Sequence, residues 1–304
     1  MSSQETQIET PVQRGFSRIA EPERFQFVRR LSRHRQGMIG GIILALLVLT
    51  AILGPYITPY DPNEPHLLDQ LAPPSSTYWF GTDELGRDIF SRVIVAARPA
   101  VMSGLLAVVF AALIGASSGL ITGFFGGWVD ATIMRIWDTL LAFPTIFLAI
   151  GIVAILGPGW INAVIAIAIV NMPVFSRLVR AATLSAKGQD YALAARSIGS
   201  SNSRLMFRHL LPNTIMPAIV QMAIAAPFAI VVEATLSFLG LGSQPPDASW
   251  GNMLSDAQGY LRRSFTYAVF PGLAITFVVV AMNLFADGVQ DVLDPRRIRA
   301  GRGE

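Results

Sequence analysis

The chain has no cysteine, a single lysine and three histidines, and only 14% of its residues are charged. Without cysteine there is no disulfide framework and no cysteine-ligated metal. The histidines, His34, His66 and His209, fall in separate regions, so no metal-ligating cluster is visible. The lone lysine, Lys187, sits between Ala186 and Gly188. A phosphate-cradling loop needs Gly-Lys followed by Ser or Thr. This polypeptide therefore has no site of its own for an ordinary nucleotide triphosphatase, and no cofactor is expected. No Ser/His/Asp set and no carboxylate pair stands at catalytic spacing. A net charge of +3 is too small to argue for nucleic acid.

What is abundant is apolar surface. Hydrophobic residues make up 52% of the chain, and charge is absent from five long windows: 36–60, 99–129, 139–176, 210–232 and 264–286. Soluble domains carry roughly 25% charged residues. About 20 apolar residues cross the hydrocarbon core as a helix. The third window is too long for one crossing, and Gly157-Pro158-Gly159 interrupts it. A helix does not continue through that tripeptide. The reading is an all-α membrane protein with six transmembrane helices, at 37–56, 99–123, 131–156, 160–180, 212–239 and 266–287. The first window reads as a span rather than a cleaved leader, because no small-x-small site closes it.

Arginine sets the orientation. Lys and Arg favour the cytoplasmic side of membrane proteins. They concentrate in the first 36 residues, in the segment between spans four and five (Arg177, Arg180, Lys187, Arg196, Arg204, Arg208) and after 295. The 57–98 segment instead carries Asp61, Glu64, Asp69, Asp83, Glu84 and Asp88. Six spans place the three basic segments on one side. The expected organisation is a cytoplasmic tail over 1–36, the first span over 37–56, an external loop over 57–98, a five-helix core over 99–287 and a cytoplasmic tail over 288–304, so both termini lie inside.

Within the core, residues 185–211 form the longest basic connection. Asp190 is a candidate N-cap for a short helix over 191–198. Gly199 is placed to end it in a left-handed turn. Ser201, Asn202 or Ser203 can cap a second helix over 204–211, and Pro212 then enters span five near its first turn. The small residues on one side of this hairpin allow another surface to approach. The alternative is an amphipathic loop resting on the bilayer.

Ala194, Ala195 and Gly199, followed by Leu210, Leu211 and Pro212, resemble the signature of type I ABC importer permeases. Leu193 stands where that signature has Glu, so Asp190 or Arg196 would supply polar contacts, or the Glu is dispensable. The stretches 80–92, 140–144, 233–251 and 287–295 are similar to the C-type subunits of the dipeptide/oligopeptide/nickel branch. The resemblance implies a B-type permease partner, two cytoplasmic ATPase subunits gripping the 185–211 segment, and an external solute-binding protein delivering cargo. It also implies alternating access driven by ATP. Dipeptides, oligopeptides, nickel chelates, glutathione and opines all remain open as cargo.

Inside the spans, Glu233 is the exception to the apolar pattern, and a carboxylate at depth is a functional candidate. It could contact substrate or a coupling proton, pair with the partner subunit, or lie near the external end. Asn171, Asn283 and Gln221 are candidates for a pathway or for interhelical hydrogen bonds. Pro217 and Pro227 should kink span five. Small residues through span two, including Ser103, Gly104, Gly115, Ser118 and Gly119, point to close helix contacts. The 240–265 loop, with Gln244, Pro245 and Trp250, is expected to face the binding protein. Arg87 and Asp88 are expected to brace the external loop. Two other classes compete: a self-contained proton-coupled transporter using Glu233, and an intramembrane enzyme, which would need paired catalytic groups that the spans lack.

Overall fold

The computed structural model describes residues 35–293. The tails expected at 1–34 and 294–304, with their arginines, lie outside the described residues. The helices are α1 (Arg35–Ile57), α2 (Ile89–Phe125), α3 (Gly127–Leu141), α4 (Thr145–Leu156), α5 (Trp160–Lys187), α6 (Asp190–Ser197), α7 (Met216–Phe238), α8 (Trp250–Ala257) and α9 (Thr266–Leu293). Among the described residues there is no strand, only an isolated bridge between Thr82 and Asp88. Five helices, α1, α2, α5, α7 and α9, are long and apolar enough to cross a membrane. A sixth crossing is available only if α3 and α4, which meet at 97°, count as one.

The packing inverts that of a soluble protein. Lipid solvates Leu, Ile and Phe as well as a protein interior does, so close backbone approach holds the helices together. On α2 the buried positions are small, among them Ala107, Ala111, Gly115, Gly119 and Gly123, while Leu105, Phe110 and Leu113 are exposed. A Cβ on Gly119 would lie 2.3 Å from the Ser176 carbonyl oxygen of α5, and one on Gly115 would lie 2.5 Å from the Met172 carbonyl. The Ser118 hydroxyl donates to Ser176 Oγ across the same seam at 2.9 Å. A second close approach joins α1 to α9, where a Cβ on Gly40 would stand 2.4 Å from the Phe285 nitrogen. The small residues of span two thus serve helix contact, as expected.

Helix ends depart from the charge-free windows. The second span starts at Ile89 rather than 99, because Arg92 and Arg98 lie within the helix. Arg92 is buried there, its Nη1 donating to the Pro62 carbonyl at 2.9 Å and its Nε 3.5 Å from Asp83. The fourth continues to Lys187 and the sixth to Leu293, past the expected 180 and 287. The third span is not a single rod over 131–156. It breaks after Leu141 and restarts at Thr145. Pro144 lacks an N–H to continue the ladder and pushes Phe143 out of helical geometry. Span five divides too. A short turn over Leu211–Thr214 precedes α7, so Pro217 occupies the first turn of α7 and only Pro227 lies inside it. The Gly157-Pro158-Gly159 turn is present between α4 and α5, closed by Asn162 Nδ2 donating to Leu156 and Gly157 carbonyls.

The α2–α5 seam predicts that Gly119→Ala lowers stability by about 1–3 kcal/mol through overpacking. Gly151→Ala, at a position with nothing within 4 Å of the added carbon, should have no such effect. SDS-titrated unfolding of both purified variants checks this, and equal stability of the two would show that the seam tolerates a side chain.

Candidate functional site

The segment between α5 and α7 is built as a helix, a glycine turn and a second helical stretch. Its entry is pinned. Lys187 Nζ donates to the Phe124 carbonyl at 2.5 Å and sits 5.5 Å from the centre of the Phe124 ring. A cation at the carbonyl end of α2 also complements that helix's dipole. Two ion pairs tie α5 to α3: Arg180 clasps Asp130 with contacts of 2.5 and 2.6 Å, and Arg177 Nη2 reaches Asp138 at 2.5 Å.

α6 follows. Asp190 is not its N-cap. Gln189 occupies that position without a side-chain bond, and Asp190 lies in the first turn. A negative charge there still favours the helix through its dipole. The helix ends as expected, with Gly199 at φ +81°, Gly199 N–H donating to Arg196 O and Ser200 N–H donating to Ala195 O. The second stretch starts with Ser201 accepting from the Arg204 N–H. It is not an ordinary α-helix over 204–211, since a wide π turn covers Leu205–Leu210 and the Leu211 N–H reaches Met206 O. Pro212 explains this: it has no N–H to donate and its ring crowds the carbonyl four residues back. Asn213 Nδ2 takes up the His209 carbonyl at 2.8 Å.

These turns sort the expected residues into two sets. Ala195 and Leu210 are buried, with Ala192, Leu205 and Met206, and anchor the hairpin against the bundle. Asp190, Ala194, Arg196, Gly199 and Pro212 are exposed, and Leu211 is intermediate. Tyr191, Leu193, Ile198 and Phe207 also show their side chains outward, Ile198 being 84% exposed. Gly199 has nothing within 4 Å of a Cβ position, so its requirement is backbone conformation and not internal space.

The intramembrane candidates are not gathered into one site. Glu233 is 1% exposed and lies about one turn from the end of α7, where it accepts from Ser237 Oγ at 2.8 Å. Ser237 Oγ in turn accepts from the Ser243 N–H. This chain of bonds belongs to the turn after α7. Asn171 is spent locally, donating to the Ile167 carbonyl of its own helix at 2.7 Å. Asn283 is exposed on α9.

Residues 115–299 match the family described as Binding-protein-dependent transport system inner membrane component, and residues 25–74 match the N-terminal TM domain of oligopeptide transport permease C. The chain belongs to this permease family. It is 44% identical over 268 residues to a dipeptide transport system permease protein of Alkalihalophilus pseudofirmus, covering 88% of each. It is 42% identical to a glutathione transport system permease protein of Pectobacterium atrosepticum, covering 89% of this chain and 90% of that one. A di/tripeptide transport system permease protein of Pseudomonas aeruginosa is 44% identical, with 86% and 89% covered. The protein is thus a multi-pass inner-membrane transport permease, as the resemblance implied.

At the other end of the permease, residues 58–88 wrap onto the tops of α2 and α9. Arg87 pairs with Asp83 at 2.6 Å and with Glu84 at 3.1 Å. The Tyr267 hydroxyl of α9 donates to Glu84 Oε2 at 2.6 Å, and the Phe80 and Phe270 rings stack 3.7 Å apart. Burial, and next the Glu84 charge, hold the Asp256 carboxyl of α8 above the usual carboxylate range. Arg87 therefore braces this segment, as expected. In the loop after α7, Gln244 and Pro245 are exposed, Gln244 Nε2 donating to the Gly240 and Gly242 carbonyls. Trp250 is not outward-facing. It is 3% exposed and its indole N–H donates to the Val93 carbonyl of α2 at 2.9 Å. α8 is drawn inward because Gly251 lies against α7, where a Cβ would meet the Ala234 carbonyl at 2.1 Å.

The sequence reading missed the Lys187–Phe124 and Tyr267–Glu84 links. No local pattern marks them, since their partners lie far apart in the chain. The Asp130 and Asp138 pairs had a partial signal: acids bordering an apolar helix need a cation, but Arg135 stands between them in sequence and only the fold selects Arg180 and Arg177. Tyr267→Phe removes the only donor α9 offers Glu84 among the described contacts. It should weaken the attachment of 58–88 by about 1–3 kcal/mol. Limited proteolysis of purified protein should then cut within 58–88 faster, and an unchanged cleavage rate would show that the contact does not hold the segment.

Proposed function

We propose that this permease is the C-type half of a heterodimeric ATP-driven importer of di- or oligopeptides or related small solutes such as glutathione. In this reading there are six spans, counting α3 and α4 as one broken crossing, and both termini and the 185–211 segment are cytoplasmic, which the arginine distribution supports. A B-type permease completes the translocation path, two ATPase subunits bind beneath, and an external solute-binding protein docks near Gln244 and Pro245. The peptide and glutathione relatives support the cargo class. The carrying observation is the outward face of the hairpin: Tyr191 and Leu193 on α6, Ile198 just after it and Phe207 in the second stretch expose apolar side chains around the left-handed Gly199, with Arg196 and Asp190 beside them. Exposed apolar clusters mark a protein or membrane contact, and this one is read as the protein contact.

The inward set of the hairpin makes it a lever. Ala195, Leu205 and Leu210 fix it to the bundle, and Lys187 fixes its root to α2, so closure of the ATPase dimer moves α2 and α5 together. ATP shifts the inward/outward equilibrium only by binding one state better than the other. Gly199 and Pro212 set the lever's shape, and Asp190, Ala194, Arg196 and Leu211 border the contact.

Gly199→Trp is expected to reduce ATP-dependent uptake by more than tenfold without loss of membrane-inserted protein, because the bulky side chain strains the left-handed turn and intrudes on the docked partner. Gly199→Asn, which tolerates the left-handed conformation, should keep most activity. Uptake into proteoliposomes holding the whole importer measures both. Full activity of the tryptophan variant would exclude docking at this turn.

The burial of Glu233 favours one rival, a proton-coupled carrier. Glu233→Gln keeps the acceptor for Ser237 but cannot titrate. Under the importer reading it leaves uptake within about twofold, whereas a carrier that uses Glu233 to move protons would lose transport. Asn171 and Asn283 are retained as path or gating candidates with Glu233.

A further inference from the structure

Near the start of α2 the 58–88 segment leaves a cavity of about 160 Å³ open to the surface. Its walls include the rings of Tyr60, Trp79 and Phe90, the hydroxyl residues Ser76 and Thr77, and Asp88. The rings are held in place: Trp79 packs edge-on against Phe90 at 4.7 Å, and Tyr60 donates from its hydroxyl to the Thr77 carbonyl and from its N–H to Ser91 Oγ. Pockets for small-molecule ligands run to roughly 300–1,000 Å³. This one is too small for a peptide and suits the head of one side chain.

The charge at the wall selects which side chain. Asp88 is 1% exposed and caps α2, its Oδ2 accepting from the Ser91 N–H and hydroxyl. Its Oδ1 is buried with no hydrogen-bond partner. The two guanidinium groups of the cluster serve Asp83 and Glu84, and among the described ion pairs none reaches Asp88. The dipole of α2 offsets part of that charge. What remains is a buried carboxylate beside aromatic faces, an arrangement that attracts ammonium or guanidinium groups. The surrounding surface carries further exposed acids, Asp61, Glu64 and Asp69, and exposed apolar groups at Leu67, Leu68 and Trp79.

We infer that this cavity receives a lysine or arginine side chain of the solute-binding protein, as a single anchoring contact on the outer face. The inference rests on the external placement of 58–88 proposed above. Acidic charge around an aromatic socket complements a basic side chain on a soluble partner, and among the described ion pairs none neutralises Asp88.

The test uses the complete importer in nanodiscs with its cognate solute-binding protein, comparing wild type with Trp79→Ala and Thr77→Lys. Trp79 and Thr77 lie on the surface, so neither change should impair folding. Both variants are expected to raise the concentration of binding protein giving half-maximal ATP hydrolysis about tenfold and to leave the maximal rate unchanged. Charge-reversing single lysines or arginines of the binding protein to Glu should include one variant that is insensitive to Trp79→Ala. Unchanged half-saturation in both permease variants overturns the inference. A shift that follows the nanodisc's lipid headgroup and not the binding protein's charge overturns it in favour of a lipid occupant. Failure of the wild-type importer to respond to any binding protein sinks the functional reading itself, and so is distinguishable.

Discussion

Everything in this permease depends on two helices meeting backbone to backbone. Along the α2–α5 seam Gly115 and Gly119 leave no room for a Cβ before the carbonyls of Met172 and Ser176. In lipid there is no hydrophobic gain from hiding Leu or Phe, so close approach and dispersion must hold the pair. The consequence is visible in side-chain size. Along α2, alanine and glycine such as Ala107, Ala111, Gly115 and Gly119 fill the buried seam, while Leu105, Phe110 and Leu113 are exposed. A rigid two-helix body results, and the remaining spans are arranged around it.

That body ends in the segment proposed to meet the ATPase. Lys187 closes the α2–α5 pair at its root by donating to the Phe124 carbonyl in the last turn of α2, and Arg180 and Arg177 tie α3 to α5. Under that proposal a push on α6 would reach α2, α3 and α5 together, the form of motion alternating access needs. The π turn before Pro212 is part of the same design. It lets the chain pass a residue that cannot donate without losing the buried contacts of Leu205, Met206 and Leu210. The opposite end is braced differently, by the largely buried Asp83–Arg87 pair and its links through Glu84 to Tyr267, because polar groups outside lipid can form ionic links.

Legibility was uneven for physical reasons. Gly157-Pro158-Gly159 announced the α4–α5 turn, and Gly199 announced the end of α6, because each demands a conformation that few other residues accept. The break at Pro144 carried an equally local signal, but it was hidden inside a window defined by absence of charge. Such a window reports the lipid-facing stretch, and helices extend past it wherever a charge finds a partner, as Arg92 does. Trp250 read as an exposed loop aromatic. It is buried because Gly251 lets α8 sit on α7, a contact that lies outside any local pattern.

The amino-acid order alone determined the membrane class, the approximate place of the apolar stretches and the glycine turn of the hairpin, since these follow from composition and local backbone preference. Only the tertiary structure decided which face of that hairpin is free, which carboxylates find cations, that the buried Asp88 Oδ1 has no hydrogen-bond partner, and that Glu233 joins a turn and not a gathered polar site. Those outcomes depend on distances between groups far apart in the chain, and local preference does not encode them.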